Sequence, residues 1–410
     1  MASNIVIIGA GFAGVWSALS AKRLINLQNK SKDVEVTVIA PEPSMVIRPR
    51  LYEAEPSNMS VQVGALFESA GIKFIQGFAE NIDTAAHTVH VRSIASAQTT
   101  VAYDRLILAA GSDVIRPQAV VGLRQHAFDI DSLNAAVKLD THLNQLASLP
   151  ESTARDTIVV CGAGFTGIEL ITELPKRLAH MPNKPHLIIV DSEHILARSL
   201  GSGPRPIIAQ ALQELGVEVK LGSAVASIDS EGVTLASGER IESKTVVWTA
   251  GVKATPLTQQ IPGPKDKLSR LYVDKYLRAS SAHVFVTGDA AAAQADSDGH
   301  YAMMSCQHAL PLGRVSGFNA AADLLGEPMV EYSQPEYGCC LDLGAWGTVV
   351  SHGWDMEVKL TGDIAKKVKN YINQKLIYPP PSAEEAFALA EPLANTNSME
   401  LFEKILEVVA

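Results

Sequence analysis

The chain has 410 residues, 47% of them hydrophobic and 19% charged, which suits a well-packed α/β protein of two or three domains. A formal net charge of −10 excludes a basic footprint for nucleic acid, and four cysteines are too few for a disulfide framework, which favours a reducing compartment. Met1 leads directly into an apolar strand, so no signal peptide is expected, and no apolar run reaches the roughly 18 residues of a membrane-spanning helix.

The first elements form a β-α-β unit around a glycine-rich turn. An apolar strand over residues 4–8 precedes Gly9-Ala-Gly11-Phe12-Ala13-Gly14, and a helix is predicted over residues 13–27. In this G-x-G-x-x-G spacing the first glycine turns the chain, the second lets a diphosphate approach the backbone, and the third lets helix and strand pack closely. The free N–H groups of the helix N-terminus favour negative charge, so the turn indicates a dinucleotide site.

The second strand of this unit, residues 34–39, ends at Ala40, where such units normally carry an acidic residue for the ribose. Glu42, a backbone group or a water molecule would have to take that part. The polar loop that follows contains Arg48-Pro-Arg-Leu-Tyr-Glu53. Residues 103–112 form a strand that ends in small residues at Gly111, which lets the backbone approach another group closely.

A second unit of the same kind begins after a polar boundary. The strand over residues 156–161 precedes Gly162-Ala-Gly164-Phe165-Thr166-Gly167, and the next strand, residues 186–191, ends at Asp191. A carboxylate there accepts hydrogen bonds from both ribose hydroxyls and repels a 2′-phosphate, so this site is expected to prefer NADH to NADPH. Arg198, seven residues on, moderates that preference. Two such units predict two dinucleotides, most simply a tightly held flavin and a visiting nicotinamide.

Residues 244–251 repeat the earlier strand with its Ala-Gly ending, here at Gly251, so the chain carries a coarse internal repeat. A later apolar strand ends in Gly288-Asp289 and is expected to open a helix, which Asp289 could cap. The stretch Met303-Met-Ser-Cys306-Gln307-His308 leads into a further helix. Cys306 is expected to be a packing residue, and His308 suits a buried hydrogen bond as well as a functional role.

The C-terminal region begins near Glu336, with glycine-rich strands over residues 337–352 and a helix over residues 363–377. Apolar residues follow one face of that helix and lysines lie elsewhere: Ile364, Val368, Tyr371, Ile372 and Leu376 against Lys366, Lys367, Lys369 and Lys375. The pattern suits a helix docked on the domain or one lying in a membrane interface. The acidic tail beyond Pro381 favours docking, and weak peripheral membrane contact stays open.

The ordered set of two glycine-rich turns, two strand-Ala-Gly motifs and one strand-Gly-Asp motif resembles the pyridine-nucleotide oxidoreductases that bind two dinucleotides, one of them a flavin. Within that superfamily the chain is most similar to the type II NADH dehydrogenases, through residues 48–54, 162–170 and 305–309. The resemblance implies FAD as cofactor and NADH as its reductant. It places FAD at the first turn and Asp289, Glu169 near the nicotinamide and the flavin, and Gln307 by the isoalloxazine ring.

The resemblance therefore implies a complete candidate site. Glu169 and Gln307 are the predicted catalytic residues, although Glu169 also suits the N-terminal turns of a helix and a purely structural role stays open. No metal is predicted. The predicted cofactor-binding residues are Gly9, Gly11, Phe12, Ala13, Gly14, Arg48, Gly111, Asp289, Gln307, Gly162, Gly164, Phe165, Thr166, Gly167, Glu169, Asp191 and Gly251.

Two departures from the family bear on the electron acceptor. The family's Ala-Gln-x-x-x-Gln quinone pattern keeps only its first glutamine, because Pro311 occupies the place of the second. A hydrophobic or basic C-terminal membrane anchor is not obvious either. The acceptor therefore stays open between a quinone and another small molecule.

The predicted fold is α/β, with two doubly wound Rossmann-like domains and a small C-terminal α+β region. The FAD domain is expected to be discontinuous (residues 1–115 and 276–335), with the NAD(H) domain over residues 116–275 and the C-terminal region over residues 336–410. The expected function is an FAD-dependent NADH dehydrogenase that passes a hydride from NADH to the flavin and then electrons to a quinone or other small acceptor. The alternatives are a reductase of a ferredoxin-like carrier and a flavin-bound interaction protein. A cytoplasmic location is expected, at the inner face of a membrane if peripheral contact exists, and a homodimer stays open.

Overall fold

The structure, a computed structural model, describes residues 2–394 and 398–409. Two kinds of element dominate, strands and α-helices, with short helical turns between them. The strands, in chain order, are β1 (Ser3–Ile8), β2 (Val34–Ala40), β3 (Ser44–Val46), β4 (Ser60–Gln62), β5 (Lys73–Gln76), β6 (Phe78–Asp83), β7 (Thr88–Arg92), β8 (Gln98–Ala102), β9 (Arg105–Leu108), β10 (Ser112–Val114), β11 (Thr157–Cys161), β12 (His186–Val190), β13 (Val217–Lys220), β14 (Val225–Asp229), β15 (Gly232–Leu235), β16 (Arg240–Glu242), β17 (Thr245–Trp248), β18 (Val252–Ala254), β19 (Leu271–Tyr272), β20 (Val284–Val286), β21 (Ala291–Ala292), β22 (Gly338–Asp342), β23 (Thr348–His352) and β24 (Glu357–Thr361).

The α-helices are α1 (Phe12–Leu27), α2 (Gly64–Ala70), α3 (Leu123–His126), α4 (Leu133–Gln145), α5 (Thr153–Asp156), α6 (Phe165–Arg177), α7 (Arg205–Leu215), α8 (Cys306–Leu325), α9 (Gly362–Tyr371), α10 (Ala383–Leu389) and α11 (Ser398–Val409). Short 3₁₀ turns lie at Arg48–Arg50, Pro56–Asn58, Leu146–Ser148, Arg198–Leu200, Pro256–Gln260, Gly288–Ala290 and Gly344–Trp346. A π-helical turn, Ile372–Leu376, continues α9.

The first glycine-rich turn follows the central strand of a five-stranded parallel sheet with the order β20-β9-β1-β2-β5. In β1 the four residues from Ile5 to Ile8 are all buried. Burial on both faces explains why this strand is a continuous apolar run and not an alternating one. Strand β20 pairs with β9, and so brings the segment that leads to Asp289 back to the first unit from far along the chain.

A four-stranded parallel sheet, with the order β13-β12-β11-β17, carries the second turn in the same way. Strand β11 lies between β12, which leads to Asp191, and β17, which leads to the second Ala-Gly ending. Helices α1 and α6 begin within the two glycine-rich stretches, at Phe12 and Phe165. The predicted α/β class with two Rossmann-like units is confirmed, whereas the predicted domain limits stay predictions.

Antiparallel strands join the two units and build the C-terminal region. Strand β10 pairs with β18, so the segments that follow the two Ala-Gly endings lie side by side. The C-terminal region contains the sheet β22-β23-β24, against which α9 packs. Smaller antiparallel sheets, β6-β7-β8 and β14-β15-β16, complete the two units.

Helix α8 crosses α1 at very short range. A Cβ on Gly313 or on Gly317 would collide with the α1 backbone, at Ala13 and Ser17 respectively. The Ser17 hydroxyl also donates a hydrogen bond to the Gly313 carbonyl oxygen at 3.1 Å. Two glycines four residues apart lie on one face of the helix and let the axes approach. The start of α8 is thereby held near the first glycine-rich turn.

The α-helix expected after Gly288-Asp289 is wrong. Gly288–Ala290 is a single 3₁₀ turn, and Ala291–Ala292 is a strand that pairs with β19. The alanine-rich run then folds back on itself, because the Ala302 N–H donates to the Ala293 carbonyl oxygen at 2.9 Å. Tertiary pairing here outweighs the helix propensity of alanine.

Helix α9 is docked on the C-terminal sheet. Its buried residues are Ala365, Val368 and Lys369. The predicted faces are wrong in part, since Ile364 is exposed and Lys369 is buried. Among the helices that the structure describes, none combines the length and apolarity needed to cross a bilayer.

Candidate active site

In the first glycine-rich turn, one glycine has room for a side chain and the other two have none. Gly9 has a φ of +112°, and a Cβ there would collide with the Ala109 carbonyl, as one on Gly14 would with the Gly9 carbonyl. Gly11 faces open space and is the N-cap residue of α1. Since glycine has no side chain to cap the helix, the first N–H groups of α1 stay available to an anion. The turn therefore fits the diphosphate of a dinucleotide.

The second turn repeats this geometry. Gly162 has a φ of +116°, and a Cβ on Gly167 would collide with the Gly162 carbonyl oxygen. Gly164 faces open space and is the N-cap residue of α6. The second turn therefore also fits a diphosphate.

The first helical residues after the two turns differ. Phe12 and Ala13 are buried in the core of the first unit. Phe165 is half-buried, and its ring centroid lies 5.4 Å from the Lys369 ammonium, while Thr166 is exposed. The two turns thus share a backbone but present different side chains.

Four polar side chains from separate segments meet near the end of β20. Arg48 forms an ion pair with Asp131 and donates to the Ser112 hydroxyl at 3.0 Å. Ser112 donates in turn to Asp289 at 2.6 Å, and Nη1 of Arg48 lies 3.6 Å from the same Asp289 oxygen. The structure therefore brings together the predicted residues Arg48 and Asp289, and adds Ser112 and Asp131, which sequence reasoning missed.

The two Ala-Gly endings lie at the junction of the units. Gly111 and Gly251 both have positive φ angles, of +67° and +88°. The Thr255 N–H donates to the Gly111 carbonyl oxygen at 3.0 Å, and the Ile115 N–H donates to that of Gly251 at 2.9 Å. Each ending is thus hydrogen-bonded to the segment that follows the other, which fixes the two units against each other.

Asp191 lies directly against the second turn. One carboxylate oxygen accepts the Ala163 N–H at 2.6 Å, and the other accepts the Glu193 N–H at 2.8 Å. A cavity of about 390 Å³ lies beside it, with Gly164 and Arg198 also in its wall. An acidic side chain at the end of the second strand suits the hydroxyls of a ribose. The arrangement fits the adenosine half of a dinucleotide.

Glu169 on α6 forms a buried ion pair with the C-terminal helix α9. Its Oε1 lies 2.8 Å from Nζ of Lys369, and the two side chains are only 3% and 5% exposed. The same oxygen accepts the Asp342 N–H at 3.0 Å. Burial raises the pKa of Glu169 to about 7, against the opposing attraction of Lys369. Burial acts to lower the pKa of Lys369, but the Glu169 carboxylate outweighs it and holds that pKa above its usual value.

A second carboxylate extends this buried network. Asp342 accepts hydrogen bonds from the Tyr52 hydroxyl at 2.8 Å and from Lys366 at 2.5 Å. Burial, with the nearby Glu169 and Asp342, raises the pKa of Tyr52 well above its usual value, so the hydroxyl keeps its proton. Through Tyr52 and Glu169 the network therefore joins both units to the C-terminal region.

Gln307 contacts the same C-terminal strand as Glu169. In the amide orientation that satisfies both partners, its nitrogen donates to the Gly338 carbonyl and its oxygen accepts the Gly338 N–H at 3.2 Å. Glu169 contacts the other end of β22 through the Asp342 N–H. With a rise of about 3.3 Å per residue, the two contact points lie about 13 Å apart. The predicted catalytic residues are thus fixed by one strand without touching each other.

Two neighbours of Gln307 are uncharged at neutral pH. Burial lowers the pKa of His308 to about 3, and its ring stacks on Tyr337 with centroids 5.0 Å apart. Burial also raises the pKa of Cys306 to about 11, so the thiol stays protonated. Cys339 and Cys340 likewise carry free thiols. These residues contribute packing to the site.

Sequence reasoning missed Lys369, Asp131 and Ser112. A signal existed for Lys369, because it shares a stripe with Ala365 and Val368 at the i, i+3, i+4 spacing of a buried helix face. Asp131 has no comparable signal, since it precedes α4 as an ordinary loop residue.

Comparison with known proteins identifies the family of the chain. Residues 3–313 match the family model described as pyridine nucleotide-disulphide oxidoreductase. An NADH dehydrogenase-like protein of Mycobacterium tuberculosis is 41% identical over 395 residues, which cover 95% of this chain and 97% of that protein. A type II NADH:quinone oxidoreductase of Staphylococcus aureus is 24% identical over 400 residues, which cover 92% of this chain and 95% of that protein.

A solved structure extends the comparison to the fold. NDH2 from Plasmodium falciparum, in complex with NADH, superposes with a TM-score of 0.75 at 13% identity, over 96% of this chain and 98% of that one. The resemblance to type II NADH dehydrogenases is confirmed, as are FAD and NADH as cofactor and substrate. The chain belongs to the pyridine nucleotide-disulphide oxidoreductase family and is an oxidoreductase that uses FAD and NADH.

Proposed function

We propose that the chain is an FAD-dependent NADH dehydrogenase that delivers electrons to a quinone or a related small acceptor. The observation that carries this proposal is the buried pair of Glu169 and Lys369, 2.8 Å apart, between the second unit and the C-terminal region. The similarity to a protein named type II NADH:quinone oxidoreductase supports the acceptor class.

The two nucleotides would be held by the two glycine-rich turns. The FAD diphosphate would lie at Gly11 and the N-terminus of α1, with Arg48 and Asp289 nearby. The NADH diphosphate would lie at Gly164, and its adenosine ribose would contact Asp191. Bound FAD supplies the capacity to accept a hydride and to pass electrons onward.

The two classes of acceptor differ in whether their reduction takes up protons. A quinone takes up protons together with electrons, whereas a ferredoxin takes up an electron alone. Glu169 has a pKa near 7 and is shielded from solvent, so it can hold and release a proton at neutral pH. Lys369 compensates the charge of Glu169 when the proton has left. A buried group that exchanges protons favours a quinone over a carrier protein.

Gln307 would line the acceptor side of the site, where Gly338 fixes its amide. A quinone dissolved in a membrane would require contact with that membrane, so the proposal includes a cytoplasmic location at its inner face. Helix α9 would not provide the contact through Lys369 or Lys366, because both are held by carboxylates of the protein. A homodimer stays a prediction.

The test compares two acceptors in the holoenzyme after anaerobic reduction by NADH. Menadione takes up protons on reduction, and ferricyanide does not. Glu169→Gln keeps the shape of the side chain but removes the exchangeable proton, so reoxidation by menadione should slow by about 100-fold, while ferricyanide should change by less than about twofold. Glu173→Gln is the matched control, because Glu173 is also buried and lies one turn further along α6.

Three outcomes would contradict the proposal. Equal slowing of reoxidation with both acceptors would assign Glu169 to a step that the two reoxidations share, and not to proton delivery to a quinone. Reoxidation by a ferredoxin but not by any quinone would favour the carrier-protein alternative. A protein that neither retains nor takes up FAD, or whose flavin does not bleach with NADH, would exclude both.

A further inference from the structure

The cavity beside the second glycine-rich turn has a charged rim that the proposed function does not use. Its wall contains Asp191, Glu193, Ile195, Arg198 and Ser199. Ile195 offers an exposed apolar surface of the kind on which an adenine ring can rest. Asp191 faces the position proposed for the adenosine ribose. Arg198 and Ser199 can therefore contact a substituent carried by that ribose.

Arg198 is held by a neighbouring carboxylate. Its Nη1 lies 2.8 Å from Oε2 of Glu193, and both residues line the cavity. The Glu193 N–H donates to Asp191, so Glu193 belongs to the same tight turn as the ribose-binding carboxylate. The turn therefore places two carboxylates and one guanidinium within the same rim.

The charges bear directly on the choice between NADH and NADPH. NADPH carries a dianionic phosphate on the adenosine ribose, and a guanidinium binds phosphate with two parallel hydrogen bonds. In this chain the guanidinium next to the ribose is already engaged by Glu193. NADPH would thus meet the repulsion of Asp191 without gaining the attraction of Arg198.

We propose that Glu193 is a specificity-determining residue that restrains Arg198 and thereby keeps NADPH a poor substrate. The inference rests on the proposed binding of NADH at this turn. The restraint is weak, because both side chains are about half exposed or more and such surface pairs contribute little to stability. Removing Glu193 should free Arg198 for the 2′-phosphate without disturbing the fold.

The test is a double-mutant cycle on the holoenzyme. Glu193→Ala, Arg198→Ala and the double variant are compared with wild type, and alanine is chosen because a glutamine amide could still accept from Arg198. Glu231→Ala is the matched control: Glu231 is an exposed carboxylate paired with Lys244, which immediately precedes β17 at the amino end of the parallel strands, whereas the turn follows their carboxyl end. Two quantities are measured, the ratio of kcat/KM for NADPH to that for NADH, and the calorimetric affinities for 2′-phospho-ADP-ribose and ADP-ribose.

We expect Glu193→Ala to raise both the kinetic ratio and the relative affinity for 2′-phospho-ADP-ribose by about fivefold at most, because the restraint that is removed is a single exposed ion pair. Arg198→Ala should cancel that gain in the double variant, and Glu231→Ala should leave both ratios at the wild-type value.

A gain that survives in the double variant would overturn the proposal, because Glu193 would then act by repulsion alone. No gain in Glu193→Ala would also overturn it. If wild type binds neither ADP-ribose compound and NADH does not bleach the flavin, the proposed function itself is wrong. That outcome is distinct from a failure of the proposal for Glu193.

Discussion

The two glycine-rich turns have the same backbone but different surroundings. At each, two glycines face backbone and one faces open space. Around the first turn, α8, the end of β20 and the residues Arg48 and Asp131 converge from distant parts of the chain. Around the second, Asp191 comes from the strand next door and borders an open cavity. We infer that the turn selects a dinucleotide, whereas the segments around it decide whether the nucleotide stays.

The assignment of FAD to the first turn and NADH to the second can be tested by adding a methyl group to the one glycine of each turn that faces open space. Gly11→Ala and Gly164→Ala place a methyl group where only space exists, so both variants should fold. Gly11→Ala should reduce bound FAD to below about a tenth of the protein, and Gly164→Ala should keep the flavin but raise the KM for NADH at least about tenfold. Flavin absorbance per protein and initial rates measure the two effects. If both variants lose FAD equally, the assignment of the two turns is wrong.

Loss of the buried ion pair between Glu169 and Lys369 should have a large effect on the free energy of unfolding. Lys369→Met leaves Glu169 without its partner at 3% exposure and should lower the free energy of unfolding by about 3–5 kcal/mol. Adding Glu169→Gln should restore most of that loss, since a neutral amide is left. Urea denaturation measures both values, with Lys367→Met on the exposed side of α9 as the control. A full loss that persists in the double variant would show that packing, not charge, is responsible.

The pH dependence of the free energy of unfolding should reflect the raised pKa of Glu169. Its pKa is about 7 in the folded protein against an ordinary value of 4.5, so the folded state binds the proton more tightly. The stabilisation from that proton is complete below about pH 4.5 and is lost as the pH rises through 7. Between pH 8 and pH 5, wild type should gain about 2–3 kcal/mol of unfolding free energy relative to Glu169→Gln. Parallel pH profiles of the two proteins would contradict this pKa.

The smallest expected effect concerns the ribose of the second site. Asp191→Ala should raise the KM for NADH about tenfold, because hydrogen bonds to a charged acceptor are lost. The KM for NADPH should change far less, since the lost bonds are offset by the removal of repulsion from its phosphate. Steady-state kinetics with both nucleotides measure the difference. Equal changes would remove Asp191 from the discrimination.

Local patterns predicted most of both nucleotide units. The glycine spacing, the apolar strands and Asp191 all lie within single β-α-β units, where backbone geometry fixes their relation. The missed contacts join residues far apart in the chain, such as Arg48 and Asp131, 83 positions apart. No period or spacing encodes such a pair, because the fold must exist before the two side chains meet. The helix predicted after Asp289 was wrong for a related reason, since the alanine run pairs instead with a strand outside its own segment, through Leu271 and Ala291.

Strand β22 has a consequence for how such proteins can diverge. It contacts Gln307 through the backbone of Gly338 and Glu169 through the backbone N–H of Asp342. Backbone groups are the same whatever side chains the strand carries. The side chains of the strand can therefore change, within what its buried positions allow, while both anchoring contacts persist, so a C-terminal region of different sequence can hold Gln307 and Glu169 in the same way.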